Sequence, residues 1–189
     1  MKKLNIYFDM DGTIANLYEY KDWLKHLRLE SIAPYEFCQP MVDMKQLKEL
    51  LQNPIINSVN IISWTSKHGT TEYNRKTRYA KIRWLAKNGL DYHLIDKYII
   101  VPYGTDKADA IGKLTENDIL FDDEKQNRSN WIVKGGHAED EKNLIEKLKK
   151  YIDNSKTICN YSSTIMLKNI NKNTKGKNWN YQKNHSKKF

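Results

Sequence analysis

The chain has 189 residues, 39% apolar and 11% aromatic, enough for one domain with small insertions and too little for a second large one. Its formal charge of +9 favours anionic partners, and no apolar run approaches the roughly 20 residues of a membrane span. Met1-Lys2-Lys3 leads into a short apolar run ending in acids rather than a secretory core, and Cys38 and Cys159 lack metal-ligand spacing, so a reducing cytoplasmic setting is expected.

Leu4 to Phe8 is an apolar run that predicts a buried strand, and Asp9 and Asp11 stand two residues apart where it stops. Carboxylates at the carboxyl end of a strand lie where open α/β sheets bind ligands. One of such a pair can attack an electrophile while the other moves a proton. Gly12 permits a sharp turn and is expected to leave its N–H accessible to an anion, with Thr13 and Ile14 starting the next segment. A calcium loop would need a third acidic position and a terminal Glu, which Ala15, Asn16 and Tyr18 do not supply.

Residues 15–40 read as a small insertion with a helix around Tyr20 to Leu29, and Met41 to Leu51 as a helix with Met44, Leu47, Leu50 and Leu51 on one face, ended by Asn53-Pro54. Val59-Asn60-Ile61-Ile62 then predicts a strand ending in the hydroxyl-bearing run Ser63-Trp64-Thr65. Glu72 to Asn88 is a long basic helix stopped by Gly89. A strand at Lys97 to Val101 precedes a Gly104-Thr105 turn, and a helix follows with Asp106 or Thr105 as its cap. Lys107 falls in that helix's first turn, where the dipole disfavours a cation, so another group should hold it; Lys113 is the alternative.

Asp118 to Phe121 is a further apolar strand, ending in Asp122-Asp123-Glu124. Adjacent acids repel unless a cation joins them, and Mg²⁺ takes one or two carboxylates plus water and phosphate oxygens. Strands alternating with helices predict a parallel sheet with right-handed crossovers. Asn154 to Phe189 contains no acid but eight lysines, nearly all of the formal +9, and reads as a basic, flexible tail, with a short strand conceivable within Thr157 to Leu167.

Taken together, Asp9-Met10-Asp11-Gly12-Thr13, the Ser63 strand, Lys107 and Asp122-Asp123 resemble the motif series of haloacid dehalogenase (HAD) superfamily phosphatases. Over about Leu4 to Lys150 the set, with Asn127 and Trp131, is similar to small bacterial and phage 5'(3')-deoxyribonucleotidase-like proteins. The resemblance implies a Rossmannoid three-layer α/β fold over residues 1–153 with a small helical cap at 15–40 and a tail at 154–189. It implies Asp9 as nucleophile, Asp11 as acid and base, and Ser63 or Thr65, Gly12 and Lys107 as phosphate-binding groups. Mg²⁺ would be held by Asp9, the backbone carbonyl of Asp11, and Asp122 with Asp123, whose roles are interchangeable at this stage.

The activity so implied is hydrolysis of a phosphomonoester, with a nucleotide 5'- or 3'-phosphate as substrate. Trp23, Tyr35, Phe37 and Trp64 are candidate stacking surfaces for a base. The basic tail, with Trp179, Tyr181 and His185, raises a second reading, a nucleic-acid 3'-end phosphatase or a nucleic-acid-binding HAD-fold protein; a solubilising tail is the simpler account. A pure scaffold would have no use for these carboxylates, hydroxyls and lysine together.

Overall fold

The computed structural model describes residues 3–157. Five strands form one sheet in the order β3-β2-β1-β4-β5, with every neighbouring pair parallel. They are β1 (Leu4–Phe8), β2 (Ile56–Trp64), β3 (Lys97–Val101), β4 (Asp118–Phe121) and β5 (His137–Glu139). The chain winds outward from β1 through β2 to β3, then returns to the other side of β1 for β4 and β5. This order makes a Rossmann-like α/β fold and opens a crevice beyond the carboxyl ends of β1 and β4.

Side chains alternate across the sheet and fill two cores. Ile6, Phe8, Ile61, Ile119 and Phe121 pack on one face with Leu47, Trp84, Leu85, Leu144 and Leu148. Tyr7, Ile62 and Leu120 pack on the other with Ala108 and Trp131. Thus α3 (Met44–Leu51), α4 (Thr71–Lys87) and a helix over 144–157, here α7, cover the first face, while α5 (Lys107–Ile111) and α6 (Lys125–Val133) cover the second. Burial on both faces explains why β1 and β4 read as nearly continuous apolar runs.

Between β1 and α3 the chain makes two short helices, α1 (Trp23–Arg28) and α2 (Ala33–Phe37). Leu17 and Tyr35 from this insertion pack on Tyr73 and Ala80 of α4 in a separate small cluster. The helix caps follow from local chemistry: Asp43 accepts from the Gln46 N–H, Thr70 from the Tyr73 N–H, and Asp106 from the Ala108 and Asp109 N–H groups.

Several boundaries differ from the sequence expectation. β2 begins at Ile56 rather than Val59, because Ile56 and Ser58 already pair with β1. α1 is shorter than Tyr20 to Leu29, and α3 starts at Met44, after its Asp43 cap. The expected boundary at residue 153 falls inside α7, which continues to 157. The proposed strand beyond Thr157, Cys159 and the tail aromatics lie outside the described residues. Among the described residues no helix is long and apolar enough to cross a membrane.

Candidate active site

The β1 strand ends by handing the Asp9 N–H to the carbonyl of Phe121 on β4 at 2.8 Å, fixing Asp9 at the crevice. The following residues coil tightly: the N–H groups of Thr13, Ile14 and Ala15 all donate to the Met10 carbonyl, at 3.3, 3.1 and 2.8 Å. Gly12 has φ +80°, and a Cβ there would stand 2.4 Å from Tyr18 Cε2 and 2.5 Å from Asp123 Oδ2, so only glycine fits without displacement. One expectation is corrected here. The Gly12 N–H donates to the Ala15 carbonyl at 2.9 Å, so it closes the turn and is not free for an anion.

Lys107 begins α5 and is almost wholly buried, its Nζ lying 2.7 Å from Asp9 Oδ1 and 2.7 Å from Asp122 Oδ2. These carboxylates are the groups that hold a cation at an unfavourable helix end. Burial alone would lower the lysine's pKa, but Asp9 and Asp122 outweigh it and the net shift is upward. Lys113, the alternative, is exposed and lies outside the pocket.

At the end of β4, Asp122 is fully buried and further fixed by Asn127, whose Nδ2 donates to both carboxylate oxygens at 3.2 Å. Arg128 donates to the carbonyls of Asp122 and Asp123, each at 2.7 Å, and the Asp123 N–H donates to Thr13 Oγ1 at 3.1 Å. Burial and the neighbouring Asp9 push the Asp122 carboxyl up to about 6, and burial with Asp9 and Asp122 pushes Asp123 up to about 7.

One oxygen from each of Asp9, Asp122 and Asp123 lies within 4.8 Å of the other two. This crowding of hard oxygen donors, with the carboxyls of Asp122 and Asp123 both pushed upward, fits a divalent cation such as Mg²⁺. The Asp11 side chain is not in that trio; it turns instead toward α4.

There the sequence reading missed a residue. Lys81, on α4, is fully buried and its Nζ donates to Asp11 Oδ2 at 2.6 Å, Ser63 Oγ at 2.9 Å and the Trp64 carbonyl at 2.7 Å. Asp11 Oδ1 is buried without a hydrogen-bond partner. Burial, countered by Lys81 and reinforced by Asp9, holds the Asp11 carboxyl above the ordinary range. The missed signal was a lysine inside the apolar stripe formed by Tyr73, Thr77, Ala80, Trp84 and Leu85.

Ser63 and Thr65 are both buried in the wall of one cavity of about 390 Å³, together with Asp9, Asp11, Lys107, Asp122 and Asp123. Its outer part is lined by Trp64 and Tyr103, with ring centroids 4.9 Å apart, and by Tyr18 and Trp23, 5.1 Å apart. Leu24, Leu27, Arg28, Lys67 and His68 complete the outer wall. Of the candidate stacking residues, Trp23, Tyr35 and Trp64 line the cavity. Phe37 does not: it is 58% exposed and lies by Arg83 and Lys87, because α2 turns its far end away from the site.

No protein-family model matches the chain, and the search of curated proteins finds no match. Fold and site define a Rossmann-like α/β domain with a carboxylate-rich pocket at the carboxyl edge of its sheet.

Proposed function

We propose that this protein is a Mg²⁺-dependent phosphomonoesterase of the HAD type, working through an aspartyl-phosphate and acting on a nucleotide. The observation that carries the reading is the convergence of Asp9, Asp11, Ser63, Lys107 and the Asp122-Asp123 pair, from segments far apart in sequence, on a single pocket. An adhesive or scaffolding role gives no reason to gather buried like charges in this way.

In this mechanism a carboxylate oxygen of Asp9 attacks phosphorus as the bond from phosphorus to the ester oxygen breaks. The departing oxygen takes a proton from Asp11, whose unpartnered Oδ1 is the oxygen available for it. In the second displacement water bonds to phosphorus and gives a proton to Asp11, and the bond from phosphorus to Asp9 breaks with its electron pair returning to the carboxylate. Ser63, with Thr65 beside it, and Lys107 orient and neutralise the phosphoryl oxygens. The chemistry that Mg²⁺ supplies when bound is neutralisation between nucleophile and phosphate, with Asp9, the Asp11 backbone carbonyl, Asp122 and Asp123 as the groups to hold it.

A cavity of about 390 Å³ suits more than inorganic phosphate, and its paired aromatic rings offer flat surfaces to a base. The exposed rim cations Arg28 and Lys67, which have no ion pair among the described residues, favour a second substrate form, a 3'-phosphorylated oligonucleotide with further phosphates outside the pocket. Phosphate release from 5'-nucleotides, 3'-nucleotides and 3'-phosphorylated oligonucleotides, with Mg²⁺ or with EDTA, tests both forms. Metal-dependent release that falls by about 10³-fold or more in Asp9→Asn is expected. Release unaffected by Asp9→Asn would overturn the reading.

A further inference from the structure

We infer that Lys81 is a positioning residue for phosphoryl transfer, which holds Asp11 and Ser63 in the orientations their roles require without itself touching the substrate. The inference rests on the phosphatase reading and assigns a task to a residue outside the motif series.

The ammonium of a lysine has three N–H donors. Lys81 directs them at Asp11 Oδ2, Ser63 Oγ and the Trp64 carbonyl, at 2.6, 2.9 and 2.7 Å. With all its donors engaged and its side chain sealed beneath the pocket wall, it has nothing left with which to bind a phosphoryl oxygen. Lys107, by contrast, lines the pocket between Asp9 and Asp122. The two buried lysines therefore serve different ends, Lys107 facing the phosphate and Lys81 facing the groups that act on it.

Two consequences follow from the donor directions. Ser63 Oγ accepts from the ammonium, so its own hydrogen is free to be donated into the pocket rather than back toward α4. Asp11 is anchored through Oδ2 alone, which leaves Oδ1 as the oxygen that carries the proton to and from the substrate. Since Trp64 is anchored to Lys81 through its carbonyl and to the Thr105 carbonyl through its indole N–H at 2.8 Å, the same lysine ties the end of β2 to the pocket wall.

The test compares Lys81→Met and Lys81→Gln with the wild type on two esters: the best nucleotide, whose alkoxide leaves poorly, and p-nitrophenyl phosphate, whose phenolate needs little help from an acid. The quantity read is kcat/KM, which reports the first displacement, with melting midpoints confirming folded protein. We expect the nucleotide value to fall by about 10²- to 10³-fold and the aryl ester value by at least tenfold less, because a displaced Ser63 costs both esters alike whereas the lost proton transfer adds only to the poor leaving group. Equal losses on both esters in folded variants, or no loss on either, would overturn the proposal. Wild-type protein inactive on both esters would instead bring down the phosphatase reading, and this proposal with it.

A second measurement leaves the fold untouched should both variants fail to fold. In ¹⁵N-lysine-labelled wild type, the Lys81 ammonium signal is expected to stay exchange-protected and nearly unmoved when orthovanadate is added, while that of Lys107 shifts. A Lys81 signal that shifts as far as that of Lys107 would make it a phosphate ligand and overturn the positioning role.

Discussion

Asp123 lies where burial, Asp9 and Asp122 all disfavour its charge, and the resulting rise to about 7 has a direct consequence for stability. A carboxyl whose folded pKa exceeds its unfolded value of about 4 stabilises the fold fully below that value, and the contribution is lost as pH rises through the folded pKa. In EDTA at pH 8, Asp123→Asn should therefore be more stable than wild type by about 1–2 kcal/mol, with the difference vanishing near pH 4. Added Mg²⁺ should raise the melting midpoint of wild type more than that of the variant. Equal midpoints at pH 8 would show that the acids are not in conflict. At this scale the sequence was most legible where a charge stood at the end of an apolar run, as with Asp9, Asp122 and Asp123. Lys81 was obscured by the many solvated lysines around it, and Gly12 was read for its N–H when the tight turn uses that group internally.

Among the elements, α5 has the heaviest duty for its size: five residues that hold Lys107 between two carboxylates. Asp106 caps it, and its Oδ2 also accepts from Asn130 on α6 at 2.9 Å. Burial pushes the Asp106 carboxyl up, but the Ala108 and Asp109 N–H groups and Lys134 outweigh it, so the net pKa is lowered. The stabilisation is then present above the unfolded value of about 4 and lost as pH falls through the lower folded value. Asp106→Ala should cost about 1 kcal/mol in urea unfolding at pH 7, and the difference from wild type should shrink only below about pH 4. A full-sized difference persisting at pH 2 would point to packing rather than the charged cap. Strands β1, β3 and β4 were readable because turn residues or charges bound each apolar run. By contrast, α6 carries Lys125, Gln126, Asn127, Arg128 and Asn130 with little apolar periodicity, and β5 has three residues, so neither gave a sequence signal.

For the whole molecule, parallel order could be expected from alternating strands and helices, but the strand order could not, since pairing of β1 with both β2 and β4 depends on long-range packing. Every residue assigned to the proposed chemistry lies between Asp9 and Asp123, so a chain ending at residue 157 should show the proposed nucleotide hydrolysis within about twofold of the full chain. Loss of oligonucleotide 3'-dephosphorylation alone in that chain would assign the basic segment to nucleic-acid binding, whereas loss of both would tie it to the site.

In the proposed mechanism Asp9 becomes phosphorylated, an ester that can be trapped chemically. Protein mixed with the best nucleotide and Mg²⁺, quenched within a single turnover and reduced with borohydride, should contain homoserine at position 9 by peptide mass spectrometry. Phosphate release under the same conditions with Asp9 unmodified, or with the reducible ester at another carboxylate, would contradict the account.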